Sequence, residues 1–416
     1  MFIKNCIILC MSWYDDSISK CSDDWNSLLA LTNTGQDGKE REVIFQTVTK
    51  GFDIDRSDWQ YKLPKASLNS KIRDFDAPGS KPKAVVDHDL DTEHSSKGSL
   101  EMESKQDNLS VALYRPFCKV YFHRDKELDV DTYEALRTYS EKNSNKYLAL
   151  HLPSNSKDFF CLSTNLLCNV RLTGIPTHCI PLYRYTNGEI RQSNITDWAL
   201  QIFNDHYRQN EPSSPVCYAG SRELREEFLL DIPAANTITK EDIFHYVYAV
   251  LHYPAYRKQY ELNLKQGLPR IPLYNNFQQW VAWGKRLMDL HINYETVTPY
   301  PFERRDVVME VQTGISLNSS SNAKLIAIKE DGVIEIDAVT SLSGIPAMAW
   351  EYQPGYRSAL EWVLSQYREW KPSDPLIANK LNNYRFNDHK EAVIDLLGRV
   401  CTVSRETIKI VGMMEG

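Results

Sequence analysis

Cations interleaved with aromatic rings occupy residues 256–305, and they are the residues here best suited to chemistry. Arg257, Lys258, Lys265, Arg270, Lys285, Arg286, Arg304 and Arg305 outnumber the acids Glu261, Asp289, Glu295 and Glu303. Lys and Arg neutralise phosphates, and Arg or Asn can read base edges in a DNA major groove. Six of these cations are the candidate DNA contacts: Arg257, Lys258, Arg270, Lys285, Arg304 and Arg305. The same composition also describes a mixed-charge helical surface, so it does not decide the matter alone.

Bond-making chemistry is harder to find. No GxxxxGK[ST] loop exists to cradle a nucleotide phosphate, and no glycine-rich turn suits a dinucleotide. A GxSxG elbow and an HExxH helix are both missing. So is the Asn/Asp-Pro-Pro-aromatic tetrapeptide with which amino-group methyltransferases hold an extruded base. Asp53, Asp55 and Asp58 form an acidic cluster that could bind a metal, but a charged loop accounts for it better. His245 and His252 read as packing or surface histidines. His291 closes a helix, where a cation suits the dipole. Glu361 and Asp395 read as solvated helix residues. No catalytic residue and no metal site is assigned.

The 416 residues suggest two or three domains. The net charge of −7 removes a whole-chain basic excess, so a DNA reader would need a local positive face. The cysteines, Cys6, Cys10, Cys21, Cys118, Cys161, Cys168, Cys179, Cys217 and Cys401, are odd in number and form no CxxC pair. They read as reduced, mostly buried thiols in a cytoplasm. The apolar run near the N-terminus is too short to span a bilayer, and no membrane segment is expected.

These residues must be positioned by mixed α and β elements. Residues 65–108 are polar and poor in apolar side chains, which makes them a linker or loop. VALYRPFCKVYF, YLALHL, DFFCLST and HCIPLYRY read as strands. SNITDWALQIFNDHYR reads as a helix capped by Asn194 or Thr196, with Trp198, Ile202 and Phe203 on one face. Thr239 with Asp242 resembles a capping box, followed by Ile243, Val247, Val250 and Leu251 at helical spacing. A second helix carries Tyr256, Tyr260 and Leu264. A third turns Phe277, Trp280, Val281, Gly284, Leu287 and Met288 inward. KLIAIKEDGVIEIDAV is a hairpin about Asp331-Gly332. RSALEWVLSQYREW is an amphipathic helix, and AVIDLLGRVCTVSRETIKIV reads as a short helix plus another small element.

Several of these segments together resemble the C-terminal specificity region of type ISP restriction–modification enzymes. They are ITKEDIFHYVYAVLHYPAYRKQYELNLKQGLPRIPL, a helix ending in LHINYE, and LYRPF with the pair Tyr121 and Phe122. CIPLYRY, Ser358–Trp362 with Gln366 and Tyr367, and VSRETIKIV complete the set. The motif residues Tyr114, Arg115, Pro116, Phe117, Tyr183, Tyr185 and Trp362 are expected to be structural.

The resemblance implies a target recognition domain that binds double-stranded DNA. It places S-adenosylmethionine, ATP and magnesium in the full enzyme and none of them in this chain. It divides the chain into a methyltransferase-like remnant (1–64), a linker (65–108), a mixed α/β part (109–235), a helical part (236–310) and a hairpin with helices (311–416). Two other readings stay open. One is a subunit of a split adenine-N6 DNA methyltransferase completed by methyltransferase or translocase domains on another chain. The other is an inactive remnant acting only as an interaction protein.

Overall fold

A strand buried on both faces needs apolar residues at every position, and YLALH at 147–151 has them up to its last residue. The computed structural model describes residues 24–32, 42–52, 109–123, 145–151, 159–186, 190–210, 237–307, 323–369 and 385–415. The fold is mixed α and β, as expected.

The first strands are β1 (Leu29–Ala30), β2 (Thr49–Lys50), β3 (Leu109–Arg115), β4 (Cys118–His123) and β5 (Tyr147–His151). Then come β6 (Phe160–Thr164), β7 (Leu167–Cys168), β8 (His178–Pro181), β9 (Tyr183–Thr186) and β10 (Ile190–Ser193). Helices α1 (Asp197–Asn210), α2 (Lys240–Val250), α3 (Pro254–Gln259) and α4 (Glu261–Gln266) precede β11 (Arg270–Ile271). Helix α5 (Phe277–Ile292) leads to β12 (Glu303–Asp306), β13 (Ile326–Ile328), β14 (Val333–Glu335) and β15 (Thr340–Ser343). Helices α6 (Met348–Glu351), α7 (Ala359–Gln366) and α8 (Lys390–Met414) follow.

The sheet β2-β8-β5-β6 is a partition between two cores. Side chains alternate across a strand. Leu148 and Leu150 of β5, Cys161 of β6 and Ile180 of β8 accordingly enter one core. Ala149, Phe160, Leu162 and Cys179 enter the other. Helices α1, α2 and α5 build the first core around Phe203, Phe244, Val247, Trp280 and Leu287. The sheet β12-β15-β14-β13 and helices α6 to α8 close the second around Ile334, Trp350, Val363 and Leu397. Residues near the N-terminus join in: β1 pairs with β11, and β2 pairs with β8.

The helical period predicts α2 and α5, whereas the one helix expected through Tyr256, Tyr260 and Leu264 is two, α3 and α4, divided at Tyr260. Phe277, Trp280, Val281, Gly284, Leu287 and Met288 are all buried along α5. Gly284 lets α5 lie against the backbone of α2, because a Cβ there would fall 1.8 Å from the carbonyl oxygen of His245. The capping box at Thr239 and Asp242 is present. Thr196, not Asn194, caps α1, its hydroxyl accepting from the Ala199 amide at 3.0 Å. The hairpin about Asp331-Gly332 joins β13 to β14, with Gly332 at φ 61°.

Three further readings need correction. VALYRPFCKVYF is two strands, not one: Arg115 faces Cys118, leaving Pro116-Phe117 as the turn. HCIPLYRY breaks at Leu182 into β8 and β9, which belong to different sheets. The C-terminal segment is one 25-residue helix rather than a short helix and a second element. Gly398 does not break it: that residue lies against Pro299 and Tyr300, where a Cβ would meet Pro299 at 2.9 Å.

Candidate nucleic-acid interface

The candidate cations separate into three groups by what holds them. Lys258 on α3, Lys285 on α5 and Arg305 on β12 are exposed, and no carboxylate pairs with them among the described residues. Arg286 lies beside Lys285, equally exposed. Arg270 is half-buried and spends its guanidinium on backbone, donating to the Leu28 carbonyl at 3.1 Å. Arg304 is already committed: it grips both oxygens of Glu391, at 2.7 and 3.0 Å, and Asp306 at 2.8 Å. Those carboxylates raise its pKa.

Arg257 turns inward. Its Nε donates to the Leu251 carbonyl at 2.6 Å, and its guanidinium lies over the Phe159 ring. Burial lowers its pKa, opposed by Cys161, Tyr352 and Tyr248 around it. Arg257 and Arg304 thus serve the fold's internal pairing. Lys258, Lys285 and Arg305 stand on three different elements, α3, α5 and β12.

Several family-motif residues make their contacts inside the fold. Phe117 occupies the second turn position at φ 59°, where glycine is the usual residue. Its ring is buried edge-on against Tyr294 at 5.2 Å and Tyr352 at 6.2 Å, so the turn plugs into the second core. Arg115 stacks 4.0 Å from the centre of Tyr114 and donates to the Tyr114 and Arg171 carbonyls. The Trp362 indole donates to the Pro354 carbonyl at 2.8 Å.

Tyr183 and Tyr185 lie on a two-stranded ribbon that the sequence reading missed. Strands β9 and β10 pair only with each other, with Gln192 opposite Arg184 and Arg191 opposite Tyr185. The available signal was Asn187-Gly188, the strongest short-range hairpin cue, between two strand-like runs. Arg191 and Gln192 are exposed, and the Arg191 guanidinium sits 3.5 Å above the Tyr183 ring. The Arg184 guanidinium meets the Gln46 amide.

Two buried asparagines clamp the base of this ribbon. The Asn145 amide accepts from the Tyr183 amide at 3.0 Å and donates to its carbonyl at 2.7 Å. The Asn194 amide donates to Pro181 and Thr47 carbonyls at 2.8 and 2.9 Å.

Several of the described buried polar groups pair with one another. Tyr248 Oη lies 2.5 Å from His291 Nδ1, and His291 Nε2 lies 2.9 Å from Thr407 Oγ1. Burial pushes the His291 pKa down to about 3, so the ring is neutral and is not the helix-end cation expected from its position. Burial also lowers His245 to about 4, helped by Lys146 and Lys285. Cys161 and Cys401 are pushed up to about 12 by burial, which leaves them inert thiols. Among the described residues, no three His, Cys, Asp or Glu side chains converge to hold a metal. No described helix is long and apolar enough to cross a membrane. Glu361 is not simply solvated: it completes the Ser358 cap and pairs with Lys329 at 2.9 Å. Asp53, Asp55, Asp58 and the expected linker lie outside the described residues.

The described residues thus form a mixed scaffold that leaves Lys258, Lys285, Arg286 and Arg305 exposed. Residues 43–396 match the Type ISP C-terminal specificity domain, and the chain belongs to that family. It is similar over 95% of its length to DrdV in a cryo-EM DrdV–DNA complex, at 34% identity and a TM-score of 0.75. A nuclease-deletion mutant of the Type ISP enzyme LlaGI, solved with a DNA substrate mimic, shares the fold at 23% identity and a TM-score of 0.64. So does the ATP-dependent Type ISP enzyme LlaBIII bound to DNA, at 21% identity and a TM-score of 0.66. Each of the two also aligns with 95% of this chain. The chain spans 39%, 29% and 24% of those three proteins, respectively. Among curated proteins no match was found.

Proposed function

We propose that this chain recognises a specific sequence in duplex DNA, as the target recognition domain of a type ISP restriction–modification system. The observation that carries the reading is family membership, joined to 34% identity with DrdV, a protein solved in complex with DNA. The exposed cations Lys258, Lys285, Arg286 and Arg305 supply the sequence-independent part of such binding, through displacement of counterions from phosphates. A net charge of −7 is compatible with this, because recognition uses a local face.

In this reading the chain needs no cofactor of its own. S-adenosylmethionine, ATP and magnesium serve the methyltransferase and translocase parts of the full enzyme, on the same or another chain. The protein works in the cytoplasm, where its buried thiols stay reduced.

Selection from a pool of random duplexes, followed by titration of the winning sequence at several salt concentrations, tests the proposal. The expected result is one enriched sequence, bound more weakly as salt rises. Charge reversal at Lys285 and Arg286 should lower affinity for every duplex. A folded protein that enriches no sequence at moderate salt would overturn the reading.

A further inference from the structure

We propose that the ribbon β9–β10 enters the DNA major groove, with the Gln192 face toward the bases and Arg191 on a phosphate. This rests on the DNA-recognition reading above and assigns it a surface. The major groove is wide enough to admit a two-stranded β-ribbon. Among the described strands, β9 and β10 form a sheet of only two strands pairing solely with each other, whereas β5 and β6 are buried between two cores.

The side chains suit the task. Successive residues of a strand point to opposite faces. Gln192 and Arg184 are cross-strand partners on one face, while Arg191 is on the other. Gln pairs with adenine through two hydrogen bonds, and Arg pairs with guanine in the same way. Gln192 is exposed, and its side chain makes no hydrogen bond among the described residues. Arg184 has the neutral Gln46 as partner, and its buried Nε has none. Neither Arg184 nor Arg191 faces a carboxylate among the described residues, in contrast to Arg304 with its two. The described residues of the ribbon therefore carry two arginines that no described carboxylate pairs with. Arg191 lies on the opposite face, exposed and stacked on Tyr183.

Sequence reading also demands a support that does not yield. Asn145 and Asn194 are 2% and 0% exposed, and their amides tie both ends of the ribbon base to the scaffold. Arg191 is held in advance by its contact with Tyr183, so little side-chain freedom is lost on binding.

The test uses the full chain, its selected duplex and the variants Arg191→Ala and Gln192→Ala. Both ribbon residues are exposed, so circular dichroism and thermal melting should match the parent protein. Arg191→Ala is expected to weaken binding to all sequences and to reduce the slope of log affinity against log salt by about 0.9. Gln192→Ala is expected to lose roughly 5- to 150-fold discrimination at one base pair while the others stay intact. If the parent protein selects a sequence and both variants keep its affinity, preference and salt slope, the ribbon is not the contact and this assignment falls alone. If the parent protein selects no sequence at all, the assignment falls together with the reading it rests on.

Discussion

Replacing Gly284 with alanine should destabilise the protein, although helix propensity predicts the opposite. Exchanging glycine for alanine inside a helix normally gains about 1 kcal/mol. Here the new Cβ would lie 1.8 Å from the His245 carbonyl oxygen and 2.6 Å from its carbon. Ordinary non-bonded contact is about 3.5 Å, so α2 and α5 would have to part by roughly 1.5 Å. Neither neighbour can give way cheaply, because the atoms met are helical backbone. A gap of even 0.5–1 Å forfeits about a quarter to a half of the dispersion contact across it. The facing residues, Phe244, Val247, Leu287 and Met288, are fully buried. Overpacking of this kind typically costs about 1–3 kcal/mol and sometimes more, which exceeds the propensity gain. We expect a net loss of about 2 kcal/mol, read as a lower urea midpoint at unchanged slope. Gly412→Ala is the internal control: it too is helical, but nothing lies within 4 Å of its added Cβ. That variant should be stabilised. If both variants shift in the same direction, the close approach of α2 and α5 does not exist as described.

Two further outcomes follow from the buried groups. Phe117→Ala should cost about 3–5 kcal/mol through loss of its packing. Phe117→Gly should then be more stable than Phe117→Ala by about 1 kcal/mol, since glycine tolerates φ 59°; equal midpoints in urea would refute the left-handed turn. For His291, the folded pKa of about 3 lies below the ordinary value of 6.5, so the unfolded chain binds the extra proton. Stability should therefore fall as pH drops from about 6.5 toward 3. His291→Asn should flatten that dependence by up to about 1.4 kcal/mol per pH unit in this window. Identical pH slopes for variant and parent would refute a buried neutral His291.

What the sequence disclosed depended on whether the signal was local. The inward face of α5 and the Thr239 capping box are set by residues a turn apart, and periodicity revealed them. Asp331-Gly332 announced its hairpin because Gly332 alone suits the left-handed position. The turn at Pro116-Phe117 stayed hidden, since phenylalanine gives no turn signal and is held there by rings from distant elements. The length of α8 stayed hidden for a related reason: Gly398 looks like a break until Pro299 and Tyr300 are seen against it. Composition could not distinguish Arg257, folded inward onto Leu251, from Lys285 on the surface. Nor could it show that Arg304 is spent on Glu391, a residue 87 positions away. The family resemblance came from motif residues of which several, such as Phe117 and Trp362, have their partners inside the fold, and it identified the domain without identifying its contacts.

Helix α8 has a mechanical consequence. Val393, Leu397 and Val403 anchor it in the core on one side of the partition sheet, while Ile410 and Met414 anchor it on the other. At about 1.5 Å per residue, its 25 residues make a beam of about 37 Å fastened at both ends. The two halves of the protein are thereby denied independent rotation, and a strain applied to either one is shared by its neighbour. A double helix seated on such a body would meet a template of fixed shape. Discrimination between sequences would then fall partly on the willingness of the DNA to bend.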